Sequence, residues 1–122
     1  MTKLGYVTIQ IEPDMLEEVR DWYVDTLGLS VVWRSRDFCM LGGQGGARLG
    51  LHAGTPLERP ERVQLHFEVT DVDAEYEDLA GQGVPFEQPP HNTAWGYRVA
   101  ALQDVAGHTI ELYTSMDEDE DL

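Results

Sequence analysis

Residues able to do chemistry recur at alternate positions in four short segments of this chain. Tyr6, Thr8 and Gln10 form one set, Arg48, Gly50 and His52 a second, Gln64, His66 and Glu68 a third, and Thr109, Glu111 and Tyr113 a fourth. An ordinary solvated strand face favours Lys, Glu, Thr and Arg. This one mixes aromatics, imidazoles, amides and a glycine, which suits a concave wall that grips a small molecule. A plain wet sheet face or a subunit contact is the competing explanation. Tyr6, Trp33, Phe38, Trp95 and Tyr113 are the candidate stacking surfaces, and His52, Gln64, His66 and Glu111 the polar groups that would fix a ligand's orientation. Trp95 shares a Pro-rich loop with His91, where it either stacks over a flat ligand or covers the end of a sheet. Glu111 in a partly desolvated cavity could act as a general base, although it is one carboxylate among many.

Other constellations offer less. Gly42-Gly43-Gln44-Gly45-Gly46 suggests a phosphate loop, but Arg48-Leu49-Gly50-Leu51-His52 follows it as an alternating strand, where a phosphate loop should open a helix. It reads as a hairpin turn. Cys39 has no activating neighbour in sequence and reads as an interior strand residue. The serines lie in no nucleophile-elbow context.

The elements that must hold these residues follow from periodicity. Leu4 to Ile11 alternates, with Val7, Ile9 and Ile11 on the apolar side. Pro13-Asp14 opens a helix carrying Met15, Leu16, Val19, Trp22, Tyr23 and Leu27 at helical spacing, and Gly28 closes it in a left-handed cap. Strands are expected over 29–34, 38–41 and 48–52. Thr55 to Pro60 is the linker. The order then repeats. Arg62 to Val69 alternates, Asp71 starts a helix that Gly81 or Gly83 ends, and strands follow over 84–87, 97–102 and 109–114, with Asp104-Val105-Ala106-Gly107 as the last turn. Tyr6 in the first repeat corresponds to Gln64 in the second. Strand, helix and three strands, twice over, predict an α+β fold of two βαβββ modules forming a curved mixed sheet with the helices on its outer face. The expected boundaries are module one at about 1–54, a linker at 55–61, module two at about 62–114 and an acidic tail at 115–122.

With 122 residues, the chain has the length of one domain. Eight Lys and Arg against 23 Asp and Glu give a formal charge of −15, with Asp117 to Asp121 forming a solvated acidic end. Such a surface repels phosphate backbones and anionic membranes, and no basic cluster offsets it locally, so no nucleic acid and no membrane are the expectations. A neutral or cationic small molecule is permitted. A single cysteine excludes an intrachain disulfide and a cysteine-cluster metal site. No apolar run approaches the ~20 residues of a membrane-spanning helix, and Glu12, Pro13 and Asp14 interrupt any signal-like stretch, so a cytoplasmic location is expected.

Three stretches sharpen the picture: Asp21-Trp22-Tyr23-Val24-Asp25-Thr26-Leu27-Gly28-Leu29, His66-Phe67-Glu68-Val69-Thr70-Asp71-Val72-Asp73 and Asp104-Val105-Ala106-Gly107-His108-Thr109-Ile110-Glu111-Leu112. In their order and spacing the chain resembles the vicinal oxygen chelate superfamily, which includes glyoxalase I, extradiol dioxygenases and the bleomycin- and fosfomycin-resistance proteins. Metal-dependent members place His or Glu on the first, fourth, fifth and last strands. The matching positions here are Tyr6, Gly50, Gln64 and Glu111, of which only Glu111 is an ordinary ligand type. The usual Asp-Pro-Asp-Gly turn is also altered, to Asp-Val-Ala-Gly. His52 and His66 lie one same-face step further along their strands, about 6.6–6.8 Å away, and with Glu111 they could make a displaced two-histidine, one-carboxylate site. The resemblance therefore implies a bleomycin-resistance-like protein that binds and sequesters a small organic molecule of antibiotic type, aromatic or cationic, without metal or cofactor. A metal-dependent glyoxalase-like lyase, isomerase or dioxygenase is the alternative. A family enzyme that uses Glu111 without metal is a third. The resemblance also implies a homodimer whose cavities are completed by both subunits.

Overall fold

The structure, a computed structural model, describes residues 1–116; Asp117 to Leu122 of the expected acidic tail lie outside the described residues. The chain divides into two compact units, Met1–Pro60 and a second that begins at Glu61.

In the first unit, β1 (Tyr6–Ile11) is followed by a 3-10 turn at Pro13–Met15, α1 (Leu16–Leu27), β2 (Ser30–Arg34), β3 (Phe38–Gly42) and β4 (Arg48–Ala53). The strand order is β1-β4-β3-β2, with β1 parallel to β4 and the other pairs antiparallel. A parallel pair needs a long crossover, and α1 lies within it. The helix buries Leu16, Val19 and Tyr23, and the sheet buries Ile9, Ile11, Cys39, Leu41, Leu49 and Leu51. Gly28 ends the helix at φ 76°, as its position after Leu27 predicts. The glycine cluster joins two antiparallel strands with Gly45 at φ 86°, so it is the expected hairpin turn.

The second unit follows a short 3-10 turn at Pro60–Arg62 and repeats the plan: β5 (Gln64–Glu68), α2 (Val72–Gly81), β6 (Phe86–Asn92), β7 (Tyr97–Gln103) and β8 (Thr109–Ser115), in the order β5-β8-β7-β6. Each module thus carries its own four-stranded mixed sheet, and the fold is α+β with two βαβββ modules. Asp71 caps α2 by accepting the Ala74 N–H at 3.1 Å. At the other end Val84 N–H donates to Leu79 O and Gly83 N–H to Ala80 O, with Gly83 at φ 92°. Gly83 is therefore the glycine in the left-handed position beyond the helix.

Most strand ends fall within one or two residues of the sequence expectation, and two differences change where a named residue lies. β6 runs to Asn92 and includes both Pro89 and Pro90, so His91 lies on a strand and not in a loop. Prolines lack the N–H that an interior strand must donate, but β6 is the last strand of its sheet, and they fall where its pairing with β7 slips between Gln88 and His91. Ser115, expected in the tail, ends β8.

Asp104 fixes the start of β8. Its Oδ1 accepts the N–H groups of Ala106 and His108, each at 2.9 Å, and its Oδ2 lies 2.8 Å from His108 Nδ1, with both residues buried. That clamp closes the turn and so sets where Glu111 falls along its strand.

Candidate functional site

The second module's sheet has two unlike faces. Leu102, Ile110 and Leu112 are buried, as are Val72 and Leu79 of α2, and Tyr76 meets Phe86 edge-on at 4.8 Å. The face bearing Glu111 carries a different set. Pairing puts His66 opposite Glu111, Glu111 opposite Ala101, and Ala101 opposite Gln88, so one rung crosses all four strands. Directly paired residues point the same way, and this rung is the spine of the site.

A cavity of about 430 Å³ opens on that face, lined by Gln64, His66, Trp95, Tyr97, Glu111 and Tyr113. His66 Nδ1 lies 3.0 Å from Glu111 Oε1. Tyr97 and Tyr113 stack, with centroids 4.9 Å apart and planes 20° from parallel. Burial pushes the Tyr113 phenol above its usual range, and the negative charge of Glu68 and the neighbouring Tyr97 push it the same way. Trp95 sits in the turn between β6 and β7 and is 70% exposed. The turn is closed around Thr93, whose N–H donates to Tyr97 O at 2.8 Å and whose Oγ1 accepts the Tyr97 N–H at 3.1 Å. Stacking rings beside an imidazole–carboxylate pair offer a flat ligand contact area and a few directional acceptors.

Five of the nine residues proposed from sequence therefore meet in one cavity: Gln64, His66, Trp95, Glu111 and Tyr113. The other four belong to the first module. Phe38 stands between Trp33 and His52, at centroid distances of 6.1 and 6.0 Å, and Tyr6, Trp33 and His52 are exposed. Tyr97 was missed, although alternation along β7 from Ala101 through Val99 places it on the Glu111 face. Cys39 is buried, and that burial raises its thiol above the usual range, against smaller opposing effects of Arg20 and Arg34.

Residues 3–112 match the family model described as Glyoxalase/Bleomycin resistance protein/Dioxygenase superfamily. The chain belongs to this superfamily. An uncharacterized protein of Bacillus subtilis (strain 168), YraH, is 30% identical over 108 residues, covering 76% of this chain and 84% of that one. Among solved structures, TnmS3, an antibiotic binding protein from Streptomyces sp. CB03234, superposes with a TM-score of 0.79 at 25% identity, over 94% of this chain and 97% of its own. A glyoxalase/bleomycin resistance protein/dioxygenase from Nocardioides gives 0.77 at 20% identity, over 97% and 86%.

Metal-dependent members of the superfamily raise the question of a metal, and the residues here do not fit one. Gly50 offers no side chain, and adding one would force a neighbour to move: a Cβ there would stand 2.7 Å from Phe38 Cζ and 2.8 Å from Thr8 Oγ1. Tyr6 and Gln64 are poor donors for zinc or nickel. Glu111 is engaged with His66. Among the described residues no group of three or more His, Cys, Asp or Glu side chains is placed to hold a metal ion.

Proposed function

We propose that this superfamily member is a metal-free binding protein that holds a small, flat organic molecule of antibiotic type unchanged, and so sequesters it. The observation that carries the reading is the aromatic slot, in which Tyr97 and Tyr113 stack beside an exposed Trp95. An exposed tryptophan next to a ring pair offers a large contact area at little entropic cost. The likeness to an antibiotic binding protein supports the same reading. A formal charge of −15 favours a neutral or cationic ligand over an anionic one. We further propose that the protein acts as a homodimer in the cytoplasm.

One observation favours the enzymatic alternative. His66 within hydrogen-bond reach of Glu111 is an imidazole–carboxylate pair of the kind that moves protons. A single experiment separates the two. Titrating the protein with proflavine and with bleomycin, followed by tryptophan fluorescence, is expected to show saturable binding of at least one. Trp95→Ala should weaken it about two- to twelvefold without lowering the melting temperature, the range set by an aromatic contact of ~0.5–1.5 kcal/mol. Mass spectrometry of the bound probe after long incubation should return it unmodified. A modified product at many equivalents per protein would establish an enzyme instead.

A further inference from the structure

A second cavity, of about 450 Å³, lies on the same sheet face and is lined by Gln64, Glu87, Gln88, Ala101, Thr109 and Glu111. It shares Gln64 and Glu111 with the aromatic one. Along β8 the alternate residues Tyr113, Glu111 and Thr109 pass from the aromatic half, through the shared carboxylate, to the polar half, a path of about 13 Å at two residues per ~6.7 Å step. Across the strands, the short side chain of Ala101 lies between Glu111 and Gln88 on the rung and leaves the floor low there. The two cavities are halves of one trough.

The halves differ in chemistry. The polar half holds two carboxylates, Glu87 and Glu111, and among the described residues no Lys or Arg lines either half. Thr109 Oγ1 donates its hydrogen to Glu61 O at 2.7 Å, so toward the trough it can only accept. Carboxylate and hydroxyl acceptors, with the His66 imidazole the basic group beside Glu111 and Glu87 facing no Lys or Arg of the lining, favour a donor that carries positive charge.

We propose that the polar half is a subsite for an alkylammonium tail, and that the ligand is a two-part molecule with a flat ring against Trp95, Tyr97 and Tyr113 and a flexible amine reaching Glu87 and Glu111. The proposal rests on the binding reading above and goes beyond it by naming the ligand's second half and Glu87 as a specificity residue. Because Glu87 is exposed, the attraction is screened by salt, which makes the tail a contributor to selectivity more than to overall affinity.

Three dansyl probes test it: dansylamide, without a tail; dansylcadaverine, with a five-carbon amine tail; and dansyl-6-aminohexanoic acid, with a carboxylate tail. At low ionic strength dansylcadaverine should bind about tenfold more tightly than dansylamide, and the acid more weakly than either. The amine's advantage should shrink in ~0.5 M salt. Glu87→Gln should remove most of that advantage and leave dansylamide unaffected, whereas Trp95→Ala should weaken all three probes alike. Equal affinities for the three, or an amine advantage that survives Glu87→Gln, would overturn the tail subsite while leaving the binding reading in place. If none of the probes binds at millimolar concentration, the two-part ligand is overturned, and the binding reading falls with it only if proflavine and bleomycin also fail to bind.

Discussion

Gly50 shows how one residue decides which chemistry a site can do. Glycine supplies no donor at this position, and the tips of Phe38 and Thr8 occupy the space where a side chain would project, with the Phe38 ring 6.1 and 6.0 Å from those of Trp33 and His52. Gly50→Ala is therefore expected to cost about 1–3 kcal/mol by overpacking, read as a lower denaturation midpoint with an unchanged denaturant slope. An unchanged midpoint would mean that the ring moves aside freely. Elemental analysis of protein purified without chelator should find no stoichiometric transition metal, because Gly50 offers no side chain and Tyr6 and Gln64 are poor donors. Close to one metal per chain, lost on His66→Ala, would reverse that assignment.

At the scale of elements, the clamp between α2 and β7 has a pH signature. Arg98 Nε and Nη2 donate to the two carboxylate oxygens of Asp73, at 2.7 and 2.9 Å, and its Nη1 donates to Asn92 Oδ1. The hydrogen bonds from Arg98 hold the Asp73 carboxyl below its usual range. A carboxylate depressed in the folded state stabilises above its unfolded pKa, and that contribution disappears as pH falls through the folded value. Asp73→Asn should accordingly lower the melting temperature at neutral pH, with the gap from the parent protein narrowing in acid. A gap of constant size from neutral pH into acid would assign the effect to lost packing. On the same helix, Asp71→Ala removes the N-cap and should cost about 1 kcal/mol.

On the scale of the whole molecule, the first module leaves an edge that a second copy could cover. β2 is the last strand of its sheet and is exposed along its length, with Val31, Val32 and Trp33 at 40, 53 and 58%. Apolar edge strands invite pairing, and in the other module the corresponding edge strand contains two prolines. The proposed homodimer should appear in light scattering at micromolar concentration as a particle of twice 13.7 kDa. A 13.7 kDa particle would count against it.

What sequence alone determined is what short-range physics controls. Alternation along β1, β4, β5 and β8, helical spacing in α1 and α2, and glycine at Gly28 each follow from neighbours a few residues away, and their repetition revealed the two βαβββ modules. Gln64, His66, Glu111 and Tyr113 were legible as site candidates because a strand's two faces can be told apart without knowing what lies beside it. The tertiary structure decided what depends on register between distant strands. It set His66 opposite Glu111, brought Tyr97 against Tyr113, and placed Phe38 over Gly50. It also let β6 run through Pro89 and Pro90, because only the sheet order shows that this strand lies at an edge. Pairing partners 40 or more residues apart are fixed by burial of the opposite face and by turns such as the Asp104–His108 clamp, and no local pattern encodes them.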